Sequence, residues 1–333
     1  TYNPVGGRQM LTELQSPTGL IERVTYLASG AAFPSGAGLP ALPRVDSYTQ
    51  YPQGNQPAIA RTYTYSSTNY LGASASGGRW SPDSDYLYDV LTSYSYWSRE
   101  ISVCGDRTMT IERTYNNFHL MTKEVVSQGK AARTTETVYY ARIGTQFKDQ
   151  PAQFQLPRSS TVTYAGNGGQ SSRIETTTTE FDGAGNMTLQ VTPDGTTTSW
   201  VYYPAGGEAG KCPADPNGFV RFPRTCTVTP PATGYDAPVE VTSYIYSQLG
   251  VVSGTPVASA VMKTREDLSR DGRLLHSASY AYVTDTGSAE FGRMSRLTET
   301  IHVPGGTPAS YDRRTDFTFT RQGGDLVQTA TIT

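Results

Sequence analysis

Residues 179–203 read TEFDGAGNMTLQVTPDGTTTSWVYY and contain the clearest secondary-structure pattern of the chain. Two turn signals, at 182–186 and 193–195, separate short segments rich in Thr, Val and aromatic residues. Asp, Asn and Gly accept the positive-φ geometry of tight hairpin turns. β-Branched and aromatic residues suit a half-buried pleated strand. This stretch therefore predicts consecutive β-hairpins.

The same order of aromatic residue, turn and aromatic strand recurs along the chain. An aromatic residue precedes a turn glycine by 14 positions at Phe181 and Gly195, and again at Tyr115 and Gly129. Further copies, some of them partial, begin at 7, 270 and 291. Because one or two hairpins cannot bury their own face, we expect successive units to stack into a continuous antiparallel sheet.

Five short segments alternate polar and aromatic residues. They are 62–65, 93–96, 243–246, 279–282 and 316–319. Alternation with a period of two places the aromatic rings on one face of a strand and the polar side chains on the other. We expect the ring face to pack against something apolar, and the Thr- and Ser-rich face to meet water or a polar lumen.

The composition excludes several classes of protein. The 333 residues include 46 Thr, 33 Gly, 23 Tyr and 21 Pro, and only 17% are charged. Strand and turn formers thus dominate, which disfavours helical bundles, coiled coils and doubly wound α/β enzymes. No stretch approaches the ~18 apolar residues of a membrane helix. A net charge of -2 provides no basic field for nucleic acid. The sequence predicts an all-β protein with neither a membrane span nor a nucleic-acid partner.

The chain reads as one β region, residues 1–333, interrupted by two Pro- and Gly-rich stretches at 30–57 and 204–238. Proline removes donors from a β-ladder, so both stretches are expected to be loop insertions on the sheet surface. The strand rhythm is the same on both sides of each insertion. There is neither an initiator Met nor a signal-peptide pattern, and the last residues read as a strand cut short, so we expect a piece of a larger chain.

Several motifs carry a family resemblance. Residues 181–186, with 193–195 and 202–203, resemble the YD repeat of Rhs proteins. Residues 7–12 and 271–274 resemble the Gly-Arg-Leu-Thr half of the same repeat. Residues 212–222 resemble a stretch in YD-repeat proteins related to the B and C components of bacterial insecticidal toxin complexes.

The resemblance implies a structural role. In such proteins the repeats wind as a curved β-sheet into a hollow shell that encloses a toxic C-terminal effector. In many members an aspartyl protease at the end of the shell cuts the effector free. For this chain the resemblance implies a non-enzymatic segment of shell wall in a secreted bacterial toxin, exported without a visible signal peptide. Its expected partners are an encapsulated effector polypeptide and other toxin-complex subunits.

The chain departs from the full family pattern at the protease. Residues Asp215-Pro216-Asn217-Gly218 have the letters of the Asp-Pro-x-Gly motif that closes the shell. They lie mid-chain in a Pro-rich loop, without the flanking residues and the downstream Asn-Pro. The self-cleavage activity is therefore not carried over to this chain, which also shows no variable toxin tail.

No catalytic residue, metal ligand or cofactor is predicted. His119, His276 and His302 fall in or beside predicted strands, and no Gly-x-Ser-x-Gly elbow is present. Residues 267–272 copy the first half of a calcium loop, but position twelve is Ala278 in place of the bidentate Glu. We interpret them as an Asp-Gly hairpin turn.

Two alternatives stay open. Trp80, Trp97 and Trp200 with the many tyrosines could form the sugar-stacking surface of a secreted adhesin or carbohydrate-binding β-domain, so carbohydrate is a possible partner. A hydrolase built on a β-propeller would need converging carboxylates. The candidates for such a pair are Asp83, Asp85 and Asp89, or Glu180 and Asp182.

Two smaller motifs have ordinary interpretations. Residues 186–188 match a glycosylation acceptor, which we interpret as turn chemistry. Cys212 and Cys226 could pair across a loop and leave Cys104 unpaired, or all three thiols could be free.

Overall fold

A computed structural model of the chain describes residues 1–166, 171–233, 237–250, 260–303, 305–322 and 325–333. The regular elements of these residues are antiparallel β-strands and two short 3-10 helices, Tyr86–Asp89 and Phe147–Asp149. The predicted all-β, antiparallel fold is therefore confirmed. No helix in the described part of the chain has the length and apolar character needed to cross a membrane.

The chain divides into two compact units, Thr1–Thr178 and Thr179–Thr333. The strands that begin in the first unit are β1 Tyr2–Val5, β2 Arg8–Leu11, β3 Glu13–Gln15, β4 Ile21–Ala31, β5 Leu42–Tyr51, β6 Ile59–Tyr65, β7 Ser95–Cys104, β8 Arg107–Asn116, β9 Met121–Gln128, β10 Ala131–Tyr139, β11 Pro157–Gly166 and β12 Ser171–Phe181. β1 and β2 form a separate hairpin. From β3 to β12, each strand pairs antiparallel with the next one along the chain.

The second unit repeats the same arrangement. Its strands are β13 Met187–Val191, β14 Thr197–Tyr202, β15 Pro223–Thr229, β16 Glu240–Leu249, β17 Ala260–Arg270, β18 Arg273–Tyr282, β19 Met294–His302, β20 Ser310–Gln322 and β21 Asp325–Ile332. Each of them again pairs antiparallel with its successor. Because these ladders within each unit join neighbours in sequence, the sheet of each unit is a series of hairpins, as the sequence predicts.

The expectation that 30–57 and 204–238 are loops is wrong for two segments, because β5 and β15 lie inside them. Both strands tolerate proline for a local reason. Pro43 lies where the β4–β5 register shifts, so its missing N–H falls outside the regular ladder. Pro223 is the first residue of β15. Residues 234–236 of the second stretch lie outside the described residues.

A loop packs against the sheet in the first unit. The chain between β6 and β7 carries Tyr86, Leu87 and Val90, which form a buried cluster with Tyr94 and with Tyr96 of β7. Trp80 and Tyr115 pack against this cluster. The cluster therefore buries part of the aromatic face of the first unit beneath a loop.

An insertion packs against the sheet in the second unit as well. Tyr203, at its start, is 2% exposed, and its ring lies 6.1 Å from the ring of Tyr246 on β16. The ring of Phe222, at the end of the insertion, lies 5.1 Å from the same tyrosine. The Tyr246 N–H donates to the carbonyl of Lys211 at 2.7 Å. The insertion thus covers Tyr246, one of the two tyrosines of the alternating segment on β16.

Candidate functional site: the aromatic face

The alternating segments place their rings on the less exposed face of the strands. In 62–65, 93–96 and 279–282 every tyrosine is buried or half-buried, and every residue between them is exposed. The four residues of 243–246 are all half-buried. In 316–319 both phenylalanines are half-buried and the threonine between them is exposed. The predicted separation of ring and hydroxyl faces is therefore present, and it is clearest in three of the five segments.

Among the described residues, six tyrosines share a position at a β-bulge. At each of them the following strand contains one extra residue that has no partner in the ladder. A bulge of this kind bends a strand and increases its local twist. The tyrosines are Tyr26, Tyr115, Tyr139, Tyr202, Tyr246 and Tyr282, and the extra residues are, in the same order, Asp46, Thr122, Arg158, Arg224, Thr264 and Ser295.

The bulges form part of a three-strand contact that we call the tyrosine clasp. In β4–β5–β6, Tyr26 of the first strand faces Val45 of the second across the bulge. Tyr65 of the third strand then donates its hydroxyl to the Val45 carbonyl at 2.7 Å. One side chain thereby connects two consecutive ladders.

The same clasp recurs twice with other residues. In β8–β9–β10, Tyr115 faces Met121, whose carbonyl accepts a hydrogen bond from the Tyr139 hydroxyl at 2.9 Å. In β16–β17–β18, Tyr246 faces Lys263, whose carbonyl accepts from the Tyr282 hydroxyl at 2.6 Å. The three equivalent contacts show that the hairpin repeats seen in the sequence also have equivalent structures.

The clasp phenols are protonated at neutral pH, because the ordinary pKa of tyrosine is already about 10. Burial raises the pKa of the hydroxyls of Tyr65, Tyr139 and Tyr282 further. A buried phenol loses hydration of its charged form, so the neutral form is favoured. All three hydroxyls therefore remain hydrogen-bond donors at neutral pH.

Each of the three histidines contacts a polar side chain. His119 Nε2 lies 2.7 Å from Asp85 Oδ2, and its Nδ1 lies 2.8 Å from the hydroxyl of buried Tyr96. His302 Nε2 lies 3.3 Å from Ser277 Oγ, whose residue is 6% exposed. His276 lies 3.5 Å from Glu299.

Two of the candidate carboxylates, Asp85 and Asp182, bond to nearby backbone N–H groups. Asp85 caps the first 3-10 helix by accepting from the Leu87 N–H at 2.9 Å. Burial acts to raise the pKa of Asp85, but its bonds to His119 and Leu87 outweigh burial and hold that pKa below the usual value. Asp182 closes its turn by accepting from the N–H groups of Ala184 and Asn186, both at 2.9 Å.

The motifs noted in the sequence occupy turns. Asp271 and Gly272 have φ values of 47° and 75° and connect β17 to β18, so residues 267–272 form a hairpin, as predicted. Asn186 donates its side-chain amide to Asp182 and to the Val220 carbonyl. The Asp215 carboxylate accepts from the Asn217 N–H and from Arg221, so residues 215–218 form a turn held by a nearly buried acid.

All three cysteines are free, so Cys212 and Cys226 do not pair. Burial raises the pKa of both thiols. In the described part of the chain, no group of three or more His, Cys, Asp and Glu side chains could hold a metal ion.

The tryptophans have different environments. Trp97 on β7 and Trp200 on β14 are half-buried, and Trp200 faces Cys226. Trp80 lines a cleft of about 430 Å³ with Phe33, Tyr70, Asp85 and His119. The Trp80 cleft brings a tryptophan and an acid to one opening.

Sequence reasoning did not find the clasp. The tyrosines were visible as strand signals, but the extra residues in the following strands have no common identity beyond being polar. A weak signal exists in 115–140 and in 246–282, where a tyrosine, a hairpin and a second tyrosine follow in order.

Comparison with known proteins gives matches only among solved structures. No family model matches the sequence, and neither does any curated protein. The chain is similar over 98% of its length to a crystal structure of TcdB2-TccC3-Cdc42, at 12% identity and a TM-score of 0.42. It is similar over 97% of its length to one of TcdB2-TccC3, at 13% identity and a TM-score of 0.29.

The chain spans 15% and 16% of the length of those two structures. A porin-like protein from Bacteroides uniformis matches 84% of this chain and 90% of its own, at 9% identity and a TM-score of 0.23.

Proposed function

We propose that the chain forms part of the wall of a hollow β-shell that encloses an effector polypeptide, and that it acts by encapsulation and not by catalysis. The observation that carries the proposal is the tyrosine clasp, found in the same form in β4–β5–β6, β8–β9–β10 and β16–β17–β18. A wall is extended by repeating one joint, whereas a ligand site is usually built once.

The distribution of burial supports a wall in preference to a globular core. Only twelve apolar residues are buried among those that the structure describes, and they lie mostly beneath the loop of the first unit and the insertion of the second. With so little fully buried apolar area, cohesion between strands depends on backbone ladders, bulges and clasps. Repeat proteins distribute stability among neighbouring units in this way.

Charged side chains on the strands form ion pairs with each other within the sheet. Cross-strand ion pairs join Arg99 to Glu112 at 2.5 Å and Arg296 to Asp316 at 2.8 Å. Such exposed pairs contribute little stability, but each neutralises local charge. A Thr- and Ser-rich face with low net charge suits a surface that holds an unfolded chain without binding it tightly.

The sequence resemblance supports the finer parts of the proposal. It points to toxin-complex subunits as partners, to a C-terminal effector as cargo and to export from a bacterium. These properties belong to the longer protein in which such a wall would work.

The proposal is tested on the native translation product that contains these residues. Cryo-electron microscopy is expected to show a hollow wall with internal density. Limited proteolysis is expected to spare an internal polypeptide until a denaturant opens the wall. A solid particle, or digestion of all segments at equal rates, would contradict encapsulation.

Carbohydrate binding is a second candidate function, favoured by one observation. The cleft at Trp80 combines aromatic walls with the Asp85 carboxylate, and such a combination suits stacking on a sugar ring with hydrogen bonds to its hydroxyls. A glycan array reports on this function directly, because encapsulation requires no glycan.

A further inference from the structure

Arg44 of β5 lies in a second cleft of the first unit, on the aromatic face. The cleft has a volume of about 350 Å³ and is lined by Arg44, Ser98 and five tyrosine rings. The Arg44 guanidinium carbon lies 3.4 Å from the centroid of the Tyr65 ring and 5.7 Å from that of Tyr70. A guanidinium stacked on a ring can still donate hydrogen bonds from its N–H groups to a ligand that lies in the guanidinium plane.

The backbone makes room for this side chain. A Cβ added to Gly30 would lie 2.5 Å from the Arg44 Cβ and 2.7 Å from its Cγ. Real Cβ atoms do not approach so closely, so any larger residue at position 30 would displace the stem of Arg44. The glycine and the Tyr65 ring together hold the guanidinium in place.

Arg44 lacks the counter-ion that the other charges of the cleft possess. Arg113 pairs with Glu124 at 2.8 Å, and Glu100 pairs with Arg61 at 3.4 Å. No carboxylate in the described part of the chain pairs with Arg44, and its buried Nη1 has no hydrogen-bond partner there. Burial lowers the pKa of Arg44 although the neighbouring tyrosines oppose this effect. A half-buried cation without an ion-pair partner is costly, which favours an anion beside it.

The cleft also offers neutral donors. The Tyr65 hydroxyl donates to Val45, and the Tyr96 hydroxyl is engaged with His119. Among the described residues, no protein group accepts a hydrogen bond from the hydroxyls of Tyr63 and Tyr115, which line the same cleft. These phenols can donate to an oxygen held by the guanidinium.

We propose that this cleft is a binding site for a single carboxylate, supplied by an acidic side chain of a polypeptide or by a small organic acid. One unpaired positive charge matches one negative charge, and the planar fork of arginine matches the two oxygens of a carboxylate. A phosphate dianion would leave excess negative charge near Glu100. The ring walls accommodate the methylene groups next to a carboxylate. This site is independent of the shell proposal.

The test titrates the chain, at constant ionic strength, with sodium acetate and with the peptide acetyl-Gly-Glu-Gly-amide, followed by ligand-observed NMR. The neutral peptide acetyl-Gly-Gln-Gly-amide is the ligand control. R99M is the matched protein control, because Arg99 lies on β7 outside the cleft lining and pairs with Glu112. We expect saturable binding to the native chain and to R99M, and at least tenfold weaker binding to R44M.

The two ligands distinguish the sources of the carboxylate. Equal binding of acetate and the Glu peptide would indicate that a free organic acid supplies the carboxylate, whereas binding of the Glu peptide alone would indicate a polypeptide.

The R44K variant keeps the positive charge but loses the planar guanidinium group. We expect it to bind about tenfold more weakly than the native chain. If R44M does not fold, as judged by circular dichroism, the Y63F/Y115F variant replaces it and should also bind more weakly. No saturable binding to the native chain, equal binding to R44M, or undiminished binding to Y63F/Y115F would overturn the proposal.

Discussion

Tyr63 and Tyr65 lie two residues apart on β6 and present their rings to the same face, yet their hydroxyls differ. The Tyr65 hydroxyl donates to the Val45 carbonyl at 2.7 Å, whereas no protein group within the described ranges accepts from that of Tyr63. The alternation of residues 62–65 predicts the face of both rings but not this difference. The difference depends on the bulge at Asp46, which belongs to another strand.

Replacing Tyr65 by Phe should therefore cost more stability than replacing Tyr63 by Phe. Y65F leaves the Val45 carbonyl without its donor, and we expect a loss of about 1–2 kcal/mol in the free energy of unfolding. Y63F removes no protein hydrogen bond and should stay within about 0.5 kcal/mol of the native chain. Urea unfolding measures both. Equal losses in the two variants would show that the clasp hydroxyl has no special role.

At the scale of elements, the sequence predicts the hairpins well and their irregularities poorly. Turn residues such as Asp182 and Asp271 act through their own side chains and backbone, so a local pattern is sufficient to find them. β5 and β15 were missed because a proline excludes a residue from a regular ladder, and both strands place it at an irregular point or at an end. That placement depends on the neighbouring strand, which no local pattern contains.

The turn at 182–186 contains two glycines whose replacement by Ala should have different effects on stability. Gly185 has a φ of +85°, whereas Gly183 does not adopt a positive φ, and a Cβ at either position would meet open space. G185A should therefore destabilise the chain by about 1–2 kcal/mol through backbone strain alone. G183A should be neutral or stabilising by up to about 1 kcal/mol, since it restricts the unfolded chain. Thermal unfolding of both variants is the measurement, and a G183A loss as large as that of G185A would contradict the assigned conformation.

At the scale of the whole chain, both units follow one rule of construction. Each strand pairs with its successor, and the clasp joins three consecutive strands in either unit. The turn and strand pattern predicts the pairing of successive strands but not the clasp. The candidate carboxylate site was not predictable, because Gly30, Arg44 and Tyr65 come from three strands and meet only after β5 has formed. The division at residue 178 had no sequence signal either, since the strand rhythm continues through it.

Two clasps that share no strand should contribute independently to the stability of the first unit. The Tyr65 clasp involves β4, β5 and β6, and the Tyr139 clasp involves β8, β9 and β10, so the two share no residue within the first unit. Variants without shared partners usually add to within about 0.5 kcal/mol. The Y65F/Y139F double variant should therefore lose the sum of the two single losses in urea unfolding. A coupling larger than about 1 kcal/mol would mean that the two clasps report on one cooperative core, and the view of a wall made of independent joints would then have to be abandoned.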